Sequence, residues 1–222
     1  SILTHVAPPQ AGTAMFTYVV GYEDMVLQYG AGPCIEWVNE VFRRLDSCIG
    51  EHSSVTKVET FNNFLLVYSS AEGRHVQDCL TLAVRMTRAL AHVTRPDGSE
   101  TALQIGVCSG PFTTGIIGLQ SPRHSIFGDT VNTASRMASL SLACTAASPF
   151  VHLAPTSHAL LQSSTEGLGG GASERYYSES QWLRDLGPGL QISRREEEVE
   201  VKGKARMHTS CLWQIEQMVV NR

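Results

Sequence analysis

The 222-residue sequence has no Cys-x-x-Cys pair, no HxxxH or HExxH spacing and no G-x-S-x-G element. Nor does it contain an apolar run near the roughly 20 residues that span a bilayer. Each absence excludes a class. Without paired cysteines, Cys34, Cys48, Cys79, Cys108, Cys144 and Cys211 read as reduced, buried thiols of a cytosolic domain rather than disulfides or a zinc site. His75, His92, His124, His152 and His158 are too dispersed for a metal centre or a catalytic triad, so structural or surface roles are expected of them. Ser109-Gly110-Pro111 is not a nucleophile elbow. Charged residues make up only 17%, with 17 Lys+Arg against 21 Asp+Glu, and the formal charge of -4 argues against a basic nucleic-acid surface. No leader precedes Pro8-Pro9 and the first residue is Ser1, which reads as a processed chain or an excised segment. The expected location is the cytoplasm, either free or as the cytoplasmic portion of a larger membrane protein.

What is present supports a globular fold: 42% hydrophobic residues over this length can bury a sizeable core, and residues 1–222 are expected to form one domain. Thr13 to Tyr22 is β-branched and aromatic and predicts a buried strand. After Gly30-Ala31-Gly32-Pro33, the residues Ile35, Val38, Val41, Phe42, Leu45 and Ile49 recur at three- and four-residue steps and predict a helix over 34–49. Val55 to Ser69 predicts a hairpin turning at Asn62-Asn63, and Val76 to His92 predicts a second helix. Leu103–Val107 and Phe112–Ile117 read as two strands joined by a turn at Ser109-Gly110-Pro111. The order is βαββαβ, the ferredoxin-like arrangement of an α/β (α+β) fold with a C-terminal extension. In that extension Ser163 to Ser173 predicts a flexible surface loop, and Arg194-Arg195-Glu196-Glu197-Glu198 predicts a solvated strand edge. Val199–Lys204 and Thr209–Ile215 predict a closing hairpin.

One segment is far more specific: Leu103 to Met137, with its IG-x-x-SGP and PR-x-x-x-FGDTVNTASRM blocks. Together with KVET at Lys57 to Thr60 and VEVKGK at Val199 to Lys204, it resembles the catalytic domain of class III nucleotidyl cyclases, above all eukaryotic guanylyl cyclases. The resemblance implies an intramolecular phosphoryl transfer, in which the ribose 3′-oxygen attacks the α-phosphorus of a nucleoside triphosphate and pyrophosphate leaves. It also implies Mg²⁺ or Mn²⁺ and a site shared between two cyclase domains. One domain brings metal carboxylates, and its partner brings the base pocket, an Asn/Arg pair and a Lys.

By that resemblance this chain holds the partner-type set. Asn132 would orient the ribose, and Arg136, four residues on, would neutralise charge on the α-phosphate. Lys204 would hold the terminal phosphates. Glu59 stands where guanylyl cyclases carry Glu and would accept from guanine N1–H and its 2-amino group. Ser125, where those enzymes usually carry Cys, would donate to O6. Standing alone, these residues would read as a helical arginine, a turn lysine and an edge carboxylate.

The metal-type set is replaced throughout. Tyr18 and Asn63 stand at the two metal-carboxylate positions, Glu23 replaces a Thr near the triphosphate, and Gln120 replaces a Lys or Arg. A neutral amide binds a hard dication far more weakly than a carboxylate does. Random decay of an inactive enzyme strikes both sets alike; here one set alone is lost. The leading expectation is the purine-binding half of a dimeric guanylyl cyclase that takes GTP, with the ions carried mainly by a partner cyclase domain, a separate chain or a second domain of the same one. A catalytically inactive regulatory domain is the alternative. Adenylyl cyclase activity is a further one, opposed by Glu59.

Overall fold

A computed structural model describes residues 6–166 and 179–214. Its elements run in the order β1 (Gln10–Val19), α1 (Tyr22–Tyr29), α2 (Ala31–Gly50), β2 (Thr56–Phe61), β3 (Phe64–Ser69), α3 (His75–Ala89), β4 (Leu103–Ile117), β5 (Arg123–Phe127), α4 (Asp129–Ser139), β6 (Phe150–Leu153), α5 (Pro155–Glu166), α6 (Glu179–Leu186), β7 (Leu190–Arg194) and β8 (Ser210–Gln214). The sheet order is β2-β3-β1-β4-β6-β8-β7, with β5 pairing separately on β4. The βαββαβ core and the α+β class expected from the sequence are present.

Alternation along β1 sorts its side chains onto two faces, as a pleated strand requires. Met15 and Val19 join Val41, Leu45, Leu65, Leu80 and Ile105 beneath α2 and α3. Ala14 joins Leu66, Tyr68, Cys108, Phe112, Ala134 and Met137 on the α4 face. Burying a side chain such as Met137 completely stabilises by roughly 1.5–3 kcal/mol. Helix α4 lies so close to β4 that a Cβ on Gly106 would sit 1.9 Å from the Ala138 backbone nitrogen. Only glycine permits that approach.

Several boundaries differ from the sequence expectations. β1 begins at Gln10 and ends at Val19, because Gly21 takes a left-handed φ of 77° and Tyr22 already opens α1. β4 does not break at Ser109-Gly110-Pro111 but runs 15 residues. β1 pairs continuously from Leu103 to Phe112, and β5 takes over from Thr113, so the ladder carries the strand through the expected turn. The closing hairpin forms from β7 and β8, not from Val199–Lys204. There Val199 makes one isolated bridge to Met207, and Lys204 N–H closes a tight turn onto the Val201 carbonyl at 2.8 Å. Of the loop expected over 163–173, Ser163 to Glu166 belong to α5, and 167–173 lie outside the described residues. The hairpin turn at Asn62 holds, with φ at 49°, and residues 194–198 are exposed as expected. All six cysteines are buried and unpaired. No helix among the described residues is long and apolar enough to cross a membrane.

Candidate active site

The site is built around α4. Its buried residues Thr130, Val131, Thr133, Ala134, Met137 and Ala138 form one helical stripe against the sheet. The opposite face carries Asn132, exposed, and Arg136, half-buried, side by side at the four-residue spacing. The turn bearing Lys204 lies against the same helix. Gly203 has φ 71°, and a Cβ there would come 3.6 Å from an Arg136 guanidinium nitrogen. Lys204 Nζ donates to the carboxylate of Asp129, the first residue of α4. Val201, fully buried in the α4-side core, anchors the turn.

A second group forms across β2 and β5. Arg123 Nη1 lies 3.5 Å from Glu59 Oε1, and Ser125 sits two residues along β5, on the same face as Arg123. Ser125 pairs with Gly115 of β4, which fixes its register. Between Arg123 and Ser125, His124 lies with its ring 5.9 Å from that of Tyr68. No hydrogen bond or ion pair among the described residues joins Glu59 and Ser125 to the group around Arg136.

Tyr18 and Asn63, which the sequence resemblance sets at metal-carboxylate positions, have a different character. Tyr18 and Ser135 of α4 share a hydroxyl hydrogen bond of 2.9 Å. The Tyr18 ring packs 6.1 Å from both Phe16 and Phe64, and Phe61 extends the row at 6.1 Å from Phe64. Asn63 turns inward: its backbone carbonyl accepts from Val19 N–H at 2.7 Å and its side-chain amide donates to the Val19 carbonyl at 3.5 Å. Glu23 and Gln120 are exposed. A phenol and an amide already engaged with the protein do not fit a divalent ion, and no group of three acidic, His or Cys side chains among the described residues could hold one.

Three residues in contact with the candidate positions carry no site signal in the sequence. Arg123 was seen only as part of the PR block, and its pairing with Glu59 requires β2 and β5 to meet. Ser135 carries no sequence signal. Asp129, in the FGDTVN stretch whose residue types suit a helix N-cap, does not cap α4: the N-cap is Gly128 with no side-chain cap bond, and the Asp129 carboxylate is turned to Lys204. The dispersed histidines are structural where buried. His152 lies between the Met137 carbonyl, 3.1 Å from Nδ1, and the Thr209 hydroxyl, 2.7 Å from Nε2. Burial, reinforced by Arg195, pushes its pKa down to about 4.

With this geometry in place, the comparisons converge. The family model "Adenylate and Guanylate cyclase catalytic domain" matches residues 6–214, and the chain belongs to that family. Guanylate cyclase soluble subunit beta-2 of Rattus norvegicus is 30% identical over 206 residues, 91% of this chain and 26% of that protein. Guanylate cyclase 32E of Drosophila melanogaster is 33% identical over 156 residues, 68% of this chain and 13% of that protein. The chain therefore spans about a quarter or less of the length of these two relatives. Among solved structures, the guanylate cyclase domain of RhGC from Catenaria anguillulae in complex with GTP aligns with a TM-score of 0.70, at 21% identity over 94% of this chain and 98% of that one. The adenylyl cyclase CyaB from P. aeruginosa aligns at 0.68 with 13% identity over 96% of each chain, a likeness of fold.

Proposed function

We propose that this chain is the purine-binding half of a dimeric guanylyl cyclase that converts GTP to cyclic GMP and pyrophosphate with a partner cyclase domain. The observation that carries the reading is the asymmetry of the site. Tyr18 and Asn63 are built into the fold, whereas Asn132, Arg136 and Lys204, on and beside α4, and Glu59 and Ser125, across β2 and β5, keep polar side chains that are exposed or half-buried. In this reading Glu59 accepts from guanine N1–H and the 2-amino group, and Ser125 donates to O6. Asn132 orients the ribose. Arg136 stabilises charge developing on the α-phosphate as the 3′-oxygen attacks, and Lys204 holds the departing phosphates. Mg²⁺ or Mn²⁺ belongs with the partner's carboxylates.

The test is co-expression with candidate cyclase partners followed by product assay. The expected outcome is cyclic GMP from a productive pair, and neither cyclic GMP nor cyclic AMP from the purified chain alone. Robust Mg²⁺- or Mn²⁺-dependent turnover by a homogeneous preparation would refute the half-site reading. A second reading, a regulatory domain without catalysis, is favoured by one observation: Glu59 and Lys204 are each ion-paired within the chain, to Arg123 and Asp129.

A further inference from the structure

Asp129 is the acidic residue in contact with Lys204, and its carboxylate makes no cap bond to the start of α4. The first turn of α4 is secured by other groups: Thr130 Oγ1 donates to the Pro111 carbonyl at 2.8 Å, and Thr133 Oγ1 donates to the Asp129 carbonyl at 2.8 Å. The Asp129 side chain is 73% exposed and its recorded partner is Lys204, itself 23% exposed. An exposed ion pair adds little to stability, so its main consequence falls on Lys204. Lys204 is held by a buried anchor at Val201, and its neighbour Gly203 lies close to the Arg136 guanidinium, so the turn that carries the Lys204–Asp129 pair packs beside a second cationic residue.

We infer that Asp129 is a built-in counterion, a positioning residue that holds Lys204 in the empty site and yields it to the terminal phosphates of the nucleotide. Triphosphate binding is then an exchange of anions at Lys204. The more highly charged triphosphate wins the exchange, but the displaced carboxylate stays close as a like charge and weakens the complex. When pyrophosphate leaves, Asp129 takes the lysine back. The inference rests on the nucleotide-binding role proposed for Lys204.

Equilibrium titrations of the full chain with GTP, guanosine and pyrophosphate test it. Asp129→Asn and Asp129→Ser are both used, because each keeps a residue suited to the start of a helix. Both variants should bind GTP and pyrophosphate roughly two- to fivefold more tightly, the range an exposed ion pair can supply, with guanosine unchanged. The gain should shrink with added salt and vanish in a Lys204→Gln background. If both variants bind GTP no more tightly while Lys204→Gln weakens it, the counterion role is overturned and the nucleotide site stands. If Lys204→Gln leaves GTP and pyrophosphate binding unchanged, the nucleotide role of Lys204 falls, and this inference with it.

Discussion

The end of β1 and helix α4 meet at a hydroxyl contact, Tyr18 to Ser135, yet the two regions are organised in opposite ways. At the β1 end, aromatic rings pack along Phe16, Tyr18 and Phe64, and the side chains of Tyr18 and Asn63 are bonded to the fold. On α4 and the strands beside it, the charged groups are held by ion pairs, Lys204 to Asp129 and Glu59 to Arg123, that a ligand can exchange. In the proposed reading, the first region has turned site positions into packing, and the second has kept side chains whose partners a nucleotide can replace.

The contrast can be broken most forcefully by rebuilding the packed region. If the α4 side is competent, Tyr18→Asp with Asn63→Asp and Gln120→Lys should convert an inactive homodimer into one that makes cyclic GMP with Mn²⁺ or Mg²⁺, because each site would then be complete. Glu23→Thr removes a further like charge. New aspartates among aromatic neighbours are destabilising without metal, so thermal melting should rise when Mn²⁺ and GTP are added. A folded, nucleotide-binding variant without product would favour the regulatory reading.

Next in size is a pH effect on the α4 side. His152 bridges α4 to the residue before β8, and its pKa of about 4 lies below the ordinary 6.5. The unfolded chain therefore binds the proton more readily. The resulting stability is fully present above about pH 6.5 and is lost as pH falls toward 4, by about 3 kcal/mol across that window. Urea unfolding at a series of pH values should show this slope, and His152→Gln should flatten it.

The base pocket comes next. In an active pairing, Glu59→Lys with Ser125→Asp inverts the donor and acceptor pattern and should move the GTP-to-ATP ratio of kcat/KM toward ATP by about tenfold or more. An unchanged ratio would remove both residues from the pocket. The smallest effect expected is that of Tyr18→Phe, which deletes the bond to Ser135 while keeping the ring. Denaturant titration should show a loss of about 1 kcal/mol, with nucleotide binding unaltered.

Much of this was legible in the chain itself. The apolar spacing of residues 34–49 placed α2, and the blocks around Phe127 to Met137 and Val199 to Lys204 marked the family to which the chain belongs. Asn132 and Arg136 shared a face by helical period alone. These features are local, set by side-chain type and spacing along a few turns. What only the tertiary structure decided depends on partners distant in sequence. Pairing with β1 and then β5 carried β4 through a Gly-Pro that locally signals a turn. The packing of α4 on Gly106 set its hydroxyls on Pro111 and its own backbone, and left Asp129 free to meet a lysine 75 positions away. Tyr18 stood out in the sequence through the family resemblance alone, and its hydroxyl bond to Ser135 follows from strand and helix being brought together, 117 residues apart in the chain.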